Sequence, residues 1–183
     1  MSEKKAPSTP LPATTVLLVR PKNRGDANSP LEVFMVVRHH KIDSFSGALV
    51  FPGGKLEDAD ADPRLRARCA GAQGIPDAEL AFRVAGIREA FEECGILLAM
   101  KRGDQALIGA AELKPIEDRW RDKLAKDDAS IVDMVEAEAG EAGEGGERVA
   151  RGVEQQLAPD LAADVGGGDA IEAAALQGGY HRF

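Results

Sequence analysis

The chain has 183 residues, 44% of them hydrophobic and only 4% aromatic, which is enough for one domain with a real core. Its net charge of −8 belongs to residues 130–183, because the acids and bases before them cancel. A neutral body with an acidic end excludes a nucleic-acid surface built on general basicity, and no apolar run approaches the roughly 20 residues of a membrane span.

Residues 1–12 are rich in Pro, Ser and Lys and are expected to be disordered. The short apolar patch that follows leads into "RPKNRG" and not into a small-residue cleavage site, so it reads as a first strand, and a cytoplasmic location is expected. "TTVLLVR" (14–20) and "LEVFMVVR" (31–38) are β-branched runs around a turn-forming stretch, which predicts a hairpin. "GALVFPGG" (47–54) predicts a third strand stopped by Pro52 and two glycines.

A polar stretch from Asp58 to Pro76 precedes a helix beginning near Asp77, with Asp77 as the expected N-cap. Leu80, Val84, Ile87, Phe91 and Cys94 fall on one helical stripe, and Gly95 stands where a terminating glycine belongs. Glu89, Glu92 and Glu93 lie on the other side. Ala85 and Gly86, both small, suggest open space beside them. "ILLA" and "ALIG" are expected short strands, and 116–138 reads as one amphipathic helix in which Trp120 packs. Cys69 and Cys94 stand 25 positions apart with neither a CxxC pattern nor a nearby His, and read as free thiols in a reducing compartment.

After residue 138 the composition changes: half of the 20 glycines lie between 140 and 179, no lysine follows Lys126, and strand alternation is absent. Residues 13–138 therefore read as the domain and 139–183 as an acidic Gly/Ala-rich tail. Three readings of that tail stay open: disorder on a minimal domain, a sheet completed by a second subunit in a homodimer, or a reading frame altered near Ala137 to Ala139.

Three glutamates on one helix are by themselves usually a solvated face, and like charges one turn apart cost only about 0.2–0.5 kcal/mol per pair. Their combination with "VFPGGKLEDAD" is more specific. Together with "REAFEECGI" it resembles the two halves of the Nudix box, the loop and helix signature of the Nudix hydrolases. Gly54 takes the first position of that pattern and Asp60 its first acid, with Gly53 beside them in the loop. Arg88-Glu89, Ala90, Glu92-Glu93, Gly95 and Ile96 complete it in order. The halves lie at 53–60 and 87–96. Asp60 replaces the usual Glu, and 27 residues, not the usual seven, separate it from Arg88. That insertion and the glycine loop are similar to the peroxisomal-type coenzyme A diphosphatase branch.

The resemblance implies an α/β/α sandwich with a mixed sheet, its C-terminal part incomplete where no strands can be read. It also implies a Mg²⁺- or Mn²⁺-dependent pyrophosphohydrolase that cleaves a nucleoside diphosphate derivative such as coenzyme A or an acyl-CoA. Glu89, Glu93, Glu92 and a Gly54 carbonyl are the expected metal ligands, since hard cations prefer oxygen. Glu92, Glu93 and Arg88 are the expected catalytic residues, with Arg88 paired to an acid such as Glu92. Arg38 and Lys55 are candidates to meet a substrate phosphate, while His39 and His40 read as incidental. The rival reading is a non-catalytic Nudix-like module that binds a nucleotide on a truncated fold.

Overall fold

The computed structural model describes residues 10–23, 25–26, 28–37, 47–101, 104 and 106–141, together with strands at 148–151 and 172–180. Arg38, His39 and His40 lie outside the described residues.

The first strand, β1 (Leu11–Pro21), carries the core. Thr14, Val16 and Leu18 alternate onto its buried face, as a period of two requires. One edge of β1 pairs antiparallel with β2 (Leu31–Val33), in the register Val19 opposite Val33, which is the expected hairpin. Farther along that edge, the Thr14 and Val16 amides donate to the Gly54 and Pro52 carbonyls, each at 2.9 Å. The glycine loop is thereby strapped to β1.

The "LEVFMVV" run does not stay with β1. It breaks at Phe34–Met35 and resumes as β3 (Val36–Val37), which pairs with β4 (Leu49–Val50). Only two residues of the expected third strand join a ladder, because Pro52 has no N–H to donate and the glycines turn the chain. Leu31, Val33, Phe34, Met35 and Val37 are all exposed, and Leu49, exposed as well, lies opposite Val37.

Two 3-10 turns, Asp58–Ala61 and Pro63–Arg68, open the insertion and lead to β5 (Cys69–Ala70). Helix α1 (Asp77–Cys94) follows. Its N-cap is Pro76 and not Asp77, which is the first helical residue and pairs with Arg66. Leu80, Val84, Ile87 and Phe91 are buried as the stripe predicts. Gly86 is also buried: a Cβ there would meet Val16 Cγ2 at 2.9 Å. The small residue therefore serves the close approach of α1 to β1, and the expectation that it leaves open space beside the acids is corrected.

Strand β6 (Ala99–Lys101) takes up the end of "ILLA", and Leu107 of "ALIG" makes one bridge to Met100. The expected single helix over 116–138 is two, α2 (Ala110–Leu124) and α3 (Ile131–Glu141). Asp127 adopts a positive φ of 57°, and Ser130 caps the second helix through reciprocal bonds with Asp133. An amphipathic period alone does not register that break.

Past residue 141 the structure places two strands where the sequence shows no alternation. β7 (Arg148–Arg151) lies between β5, to which it is parallel, and β6, to which it is antiparallel. β8 (Glu172–Tyr180) runs antiparallel along β1, from Leu11 opposite Tyr180 to Val19 opposite Glu172. The architecture is thus mixed α/β, with three small sheets among the described residues, α1 packed against β1 and β8, and α2 and α3 contacting each other. No helix among the described residues is long and apolar enough to cross a membrane.

Candidate functional site

The site gathers on one side of α1, under the strapped glycine loop. Its centre is Arg88, whose side chain is only 2% exposed. Its Nε and Nη2 donate to the two carboxylate oxygens of Asp60 at 3.0 and 3.1 Å, a bidentate pair. Nη2 also donates to the Lys55 carbonyl at 2.9 Å. Nη1 faces Glu89, Glu92 and Glu57, each at 3.2 Å. One guanidinium thus stands among four carboxylates.

Asp60 reaches Arg88 across the whole insertion because its 3-10 turn folds back onto α1. It is buried, and it also accepts the Glu57 amide at 2.8 Å. The expected Arg88–Glu92 pair is present, but the bidentate partner is Asp60. Glu57 carries no mark in the sequence beyond being an acid three positions before Asp60, where it caps the 3-10 turn.

The electrostatics follow from burial. For Arg88, desolvation opposes the charge, but the Asp60 bonds and charge, followed by Glu89 and Glu92, outweigh it and hold the group above the ordinary arginine value. Burial pushes the Glu89 carboxyl up to about 7; the nearby Arg88 charge offsets this, and Glu92 and Glu93 add to it. Glu92 is raised as well, again by burial first and against the pull of Arg88. Arg88 therefore neutralises Asp60 and leaves the other acids under-compensated.

The glycine loop presses directly on these acids. A Cβ at Gly54 would overlap the Glu89 carboxylate as it now lies, so a side chain there would push that carboxylate aside. The Gly53 amide donates to Glu93 Oε2 at 3.1 Å. Gly53 has a φ of 154°, and a side chain on it would run into the Thr14 carbonyl. The Gly54 carbonyl accepts the Thr14 amide. Lys55 is exposed next to the loop, with its carbonyl turned inward to Arg88.

Do these residues suit a divalent cation? Their chemistry does: clustered carboxylate oxygens carry more negative charge than Arg88 balances, with Glu89 raised by burial to about 7 and the Gly54 backbone close against its carboxylate. Among the described residues, however, no three carboxylate, imidazole or thiol side chains converge on a point that could hold a metal ion. Glu89 and Glu92 are turned onto Arg88, and Glu93 onto the Gly53 amide. The donor set is present, and protein hydrogen bonds hold it.

At its far end α1 is gripped by α2. Gly95 is left-handed, with φ 68°, and its amide closes the helix onto Ala90 and Phe91. Arg121 donates to the Glu92 carbonyl through Nε at 3.0 Å and to the Glu93 carbonyl through Nη2 at 2.9 Å. Neither Arg121 nor its partner Glu117 is marked by any motif.

No family model and no curated protein matches the chain. Among solved structures, a NUDIX hydrolase from Alicyclobacillus acidocaldarius is similar, with a TM-score of 0.51 and 21% sequence identity. The likeness covers 80% of this chain and 59% of that one, so this chain spans little more than half of that protein's length. The fold is a Nudix-like α/β fold.

Proposed function

We propose that this chain is a hydrolase that cleaves a diphosphate linkage in a nucleoside diphosphate derivative with the help of Mg²⁺ or Mn²⁺. Within that class, coenzyme A or an acyl-CoA is the proposed substrate. The observation that carries the reading is the surplus of carboxylate around Arg88, with Glu89 held up to about 7. Clustering acids in this way gains nothing for a fold unless a cation answers them. The Nudix-like fold and the two box halves support the same assignment.

Glu89 and Glu93, one turn apart and flanking the glycine loop, are the residues that would hold the ion, with Glu92 beside them. When bound, a divalent cation neutralises charge on nonbridging phosphate oxygens and activates or positions water for in-line attack. The chain's own residues do the positioning. Asp60 locks Arg88, Arg88 fixes the Glu89 and Glu92 rotamers, and the Gly53 amide fixes Glu93. Gly54 lies against Glu89 and leaves room there. Lys55, exposed at the loop, and Arg38 are proposed to meet substrate phosphate.

A panel of coenzyme A, ADP-ribose and NADH, assayed with and without Mg²⁺ or Mn²⁺, tests this. The reading expects metal-dependent release of two phosphate-containing products from at least one of them. Glu93→Gln should lower that rate about 100-fold or more. Absence of turnover with every substrate and metal would sink it. A second reading, a nucleotide binder without turnover, is favoured by the carboxylates being bonded to Arg88 and Gly53 and not converging. It predicts saturable ligand binding in the same panel with no product.

A further inference from the structure

We propose that Arg121, on α2, is a positioning residue for the acid ridge, acting through the last turn of α1. This rests on the reading of Glu89, Glu92 and Glu93 as cation ligands, and it adds a residue that lies outside the box and its pattern.

A helix leaves its last four carbonyls without internal partners. Here the left-handed turn at Gly95 serves the first of them, since the Gly95 amide reaches the Phe91 carbonyl at 2.8 Å, while the Ile96 amide reaches back to the Ala90 carbonyl at 3.2 Å. The next two belong to Glu92 and Glu93. Arg121 takes both, one with Nε and the other with Nη2. Its third nitrogen is held by Glu117 Oε1 at 2.7 Å, one turn away on α2. The planar fork is therefore oriented before it meets α1.

The two residues whose carbonyls are gripped are two whose side chains form the ridge. Glu93 is held from both ends, by Gly53 on its carboxylate and by Arg121 on its carbonyl. Glu92 is held likewise by Arg88 and Arg121. A guanidinium at this end also answers the negative pole of the helix. Gly95 completes the arrangement, because a Cβ there would stand 2.9 Å from Glu117 Oε1 and 3.1 Å from Arg121 Nη1. The glycine thus supplies both the positive φ and the space for the pair.

The full-length chain with Arg121→Gln, Arg121→Lys and, as a control on the same helix, Arg119→Gln provides the test. Arg119 binds Glu138, away from the ridge. Mn²⁺ affinity by electron paramagnetic resonance titration, kcat and KM, and the thermal midpoint are measured for each. Arg121→Gln should weaken Mn²⁺ binding about tenfold and lower kcat more than it raises KM. Arg121→Lys restores the charge without the two-carbonyl grip, so it should recover the thermal midpoint more than the Mn²⁺ affinity. Arg119→Gln should lower the midpoint and leave Mn²⁺ affinity at the wild-type value. Wild-type affinity in Arg121→Gln, or an equal loss in Arg119→Gln, overturns the proposal while leaving the cation site standing. A wild-type chain that ignores Mn²⁺ overturns the cation reading and this role with it.

Discussion

Two acid–arginine clusters in this molecule have opposite balance. Around Arg88, one guanidinium faces Asp60, Glu57, Glu89 and Glu92. Around Glu138, one carboxylate receives the Arg119 guanidinium and the Trp120 indole N–H, all at 3.1 Å or less. The second cluster ties α2 to α3 and answers its own charge, and Lys123 over the Trp120 ring adds to it. The first holds α1 to the 3-10 turn at Asp58–Ala61 through Asp60 and then carries acids beyond what Arg88 neutralises. The two clusters differ both in stoichiometry and in depth, since the Arg88 guanidinium is 2% exposed and that of Arg119 41%. A balanced cluster is accounted for by folding, whereas a surplus one calls for a further cation.

The comparison breaks most severely at Arg88. Arg88→Met leaves the buried Asp60 carboxylate without its bidentate partner and should cost about 3–5 kcal/mol of stability by chemical denaturation. Asp60→Asn combined with Arg88→Met should cost less than the two single changes together, since the stranded charge is then gone. Glu138→Gln removes hydrogen bonds to a charged group that is only part of a helix–helix contact, and about 1.5–3 kcal/mol is expected.

A pH series on metal-free protein sharpens the contrast further. The folded Glu89 carboxyl titrates near 7, above the ordinary 4.5 of the unfolded chain. Between those values the folded state binds more protons, so this group's contribution to stability falls as pH rises from about 4.5 to about 7. Glu89→Gln should remove that fall, on the order of 2 kcal/mol, and should be more stable than wild type above pH 7. If wild type and variant trace parallel stability curves, Glu89 is not the strained group. The smallest effect is expected at the exposed Lys126–Asp122 pair, where Lys126→Ala should change stability by less than about 0.5 kcal/mol.

How much of this is legible in the sequence depends on whether an element is specified locally. The stripe Leu80, Val84, Ile87 and Phe91 and the stop at Gly95 mark α1 almost residue by residue, because periodicity and termination are local properties. Only the cap is displaced, to Pro76. The hairpin of β1 and β2 is equally visible, but the change of partner at Phe34–Met35 is not, since alternation says nothing of which strand lies alongside. The break between α2 and α3 turns on the left-handed Asp127 and the Ser130 cap, signals that an amphipathic period overrides. β8, "EAAALQGGY", pairs through its backbone along β1 with none of the β-branched residues that announce a strand.

The site divides in the same way. Glu89, Glu92, Glu93 and Arg88 lie within one stretch of helix and are legible together. The bidentate Arg88–Asp60 pair spans 28 positions and depends on how the insertion folds back, which residue spacing does not disclose. Gly86 shows the reverse error: its smallness suggests access to the acids and in fact permits α1 to approach Val16. Arg121 makes its bonds to backbone carbonyls, a partner that no side-chain pattern records.

The most direct measurement is a Mn²⁺ titration of the folded chain, followed by electron paramagnetic resonance and repeated on Glu89→Gln and Glu93→Gln. The account predicts saturable binding by the wild type and marked weakening in both variants, with their folds intact. Binding that is absent in the wild type, or unchanged when either carboxylate is lost, would contradict it.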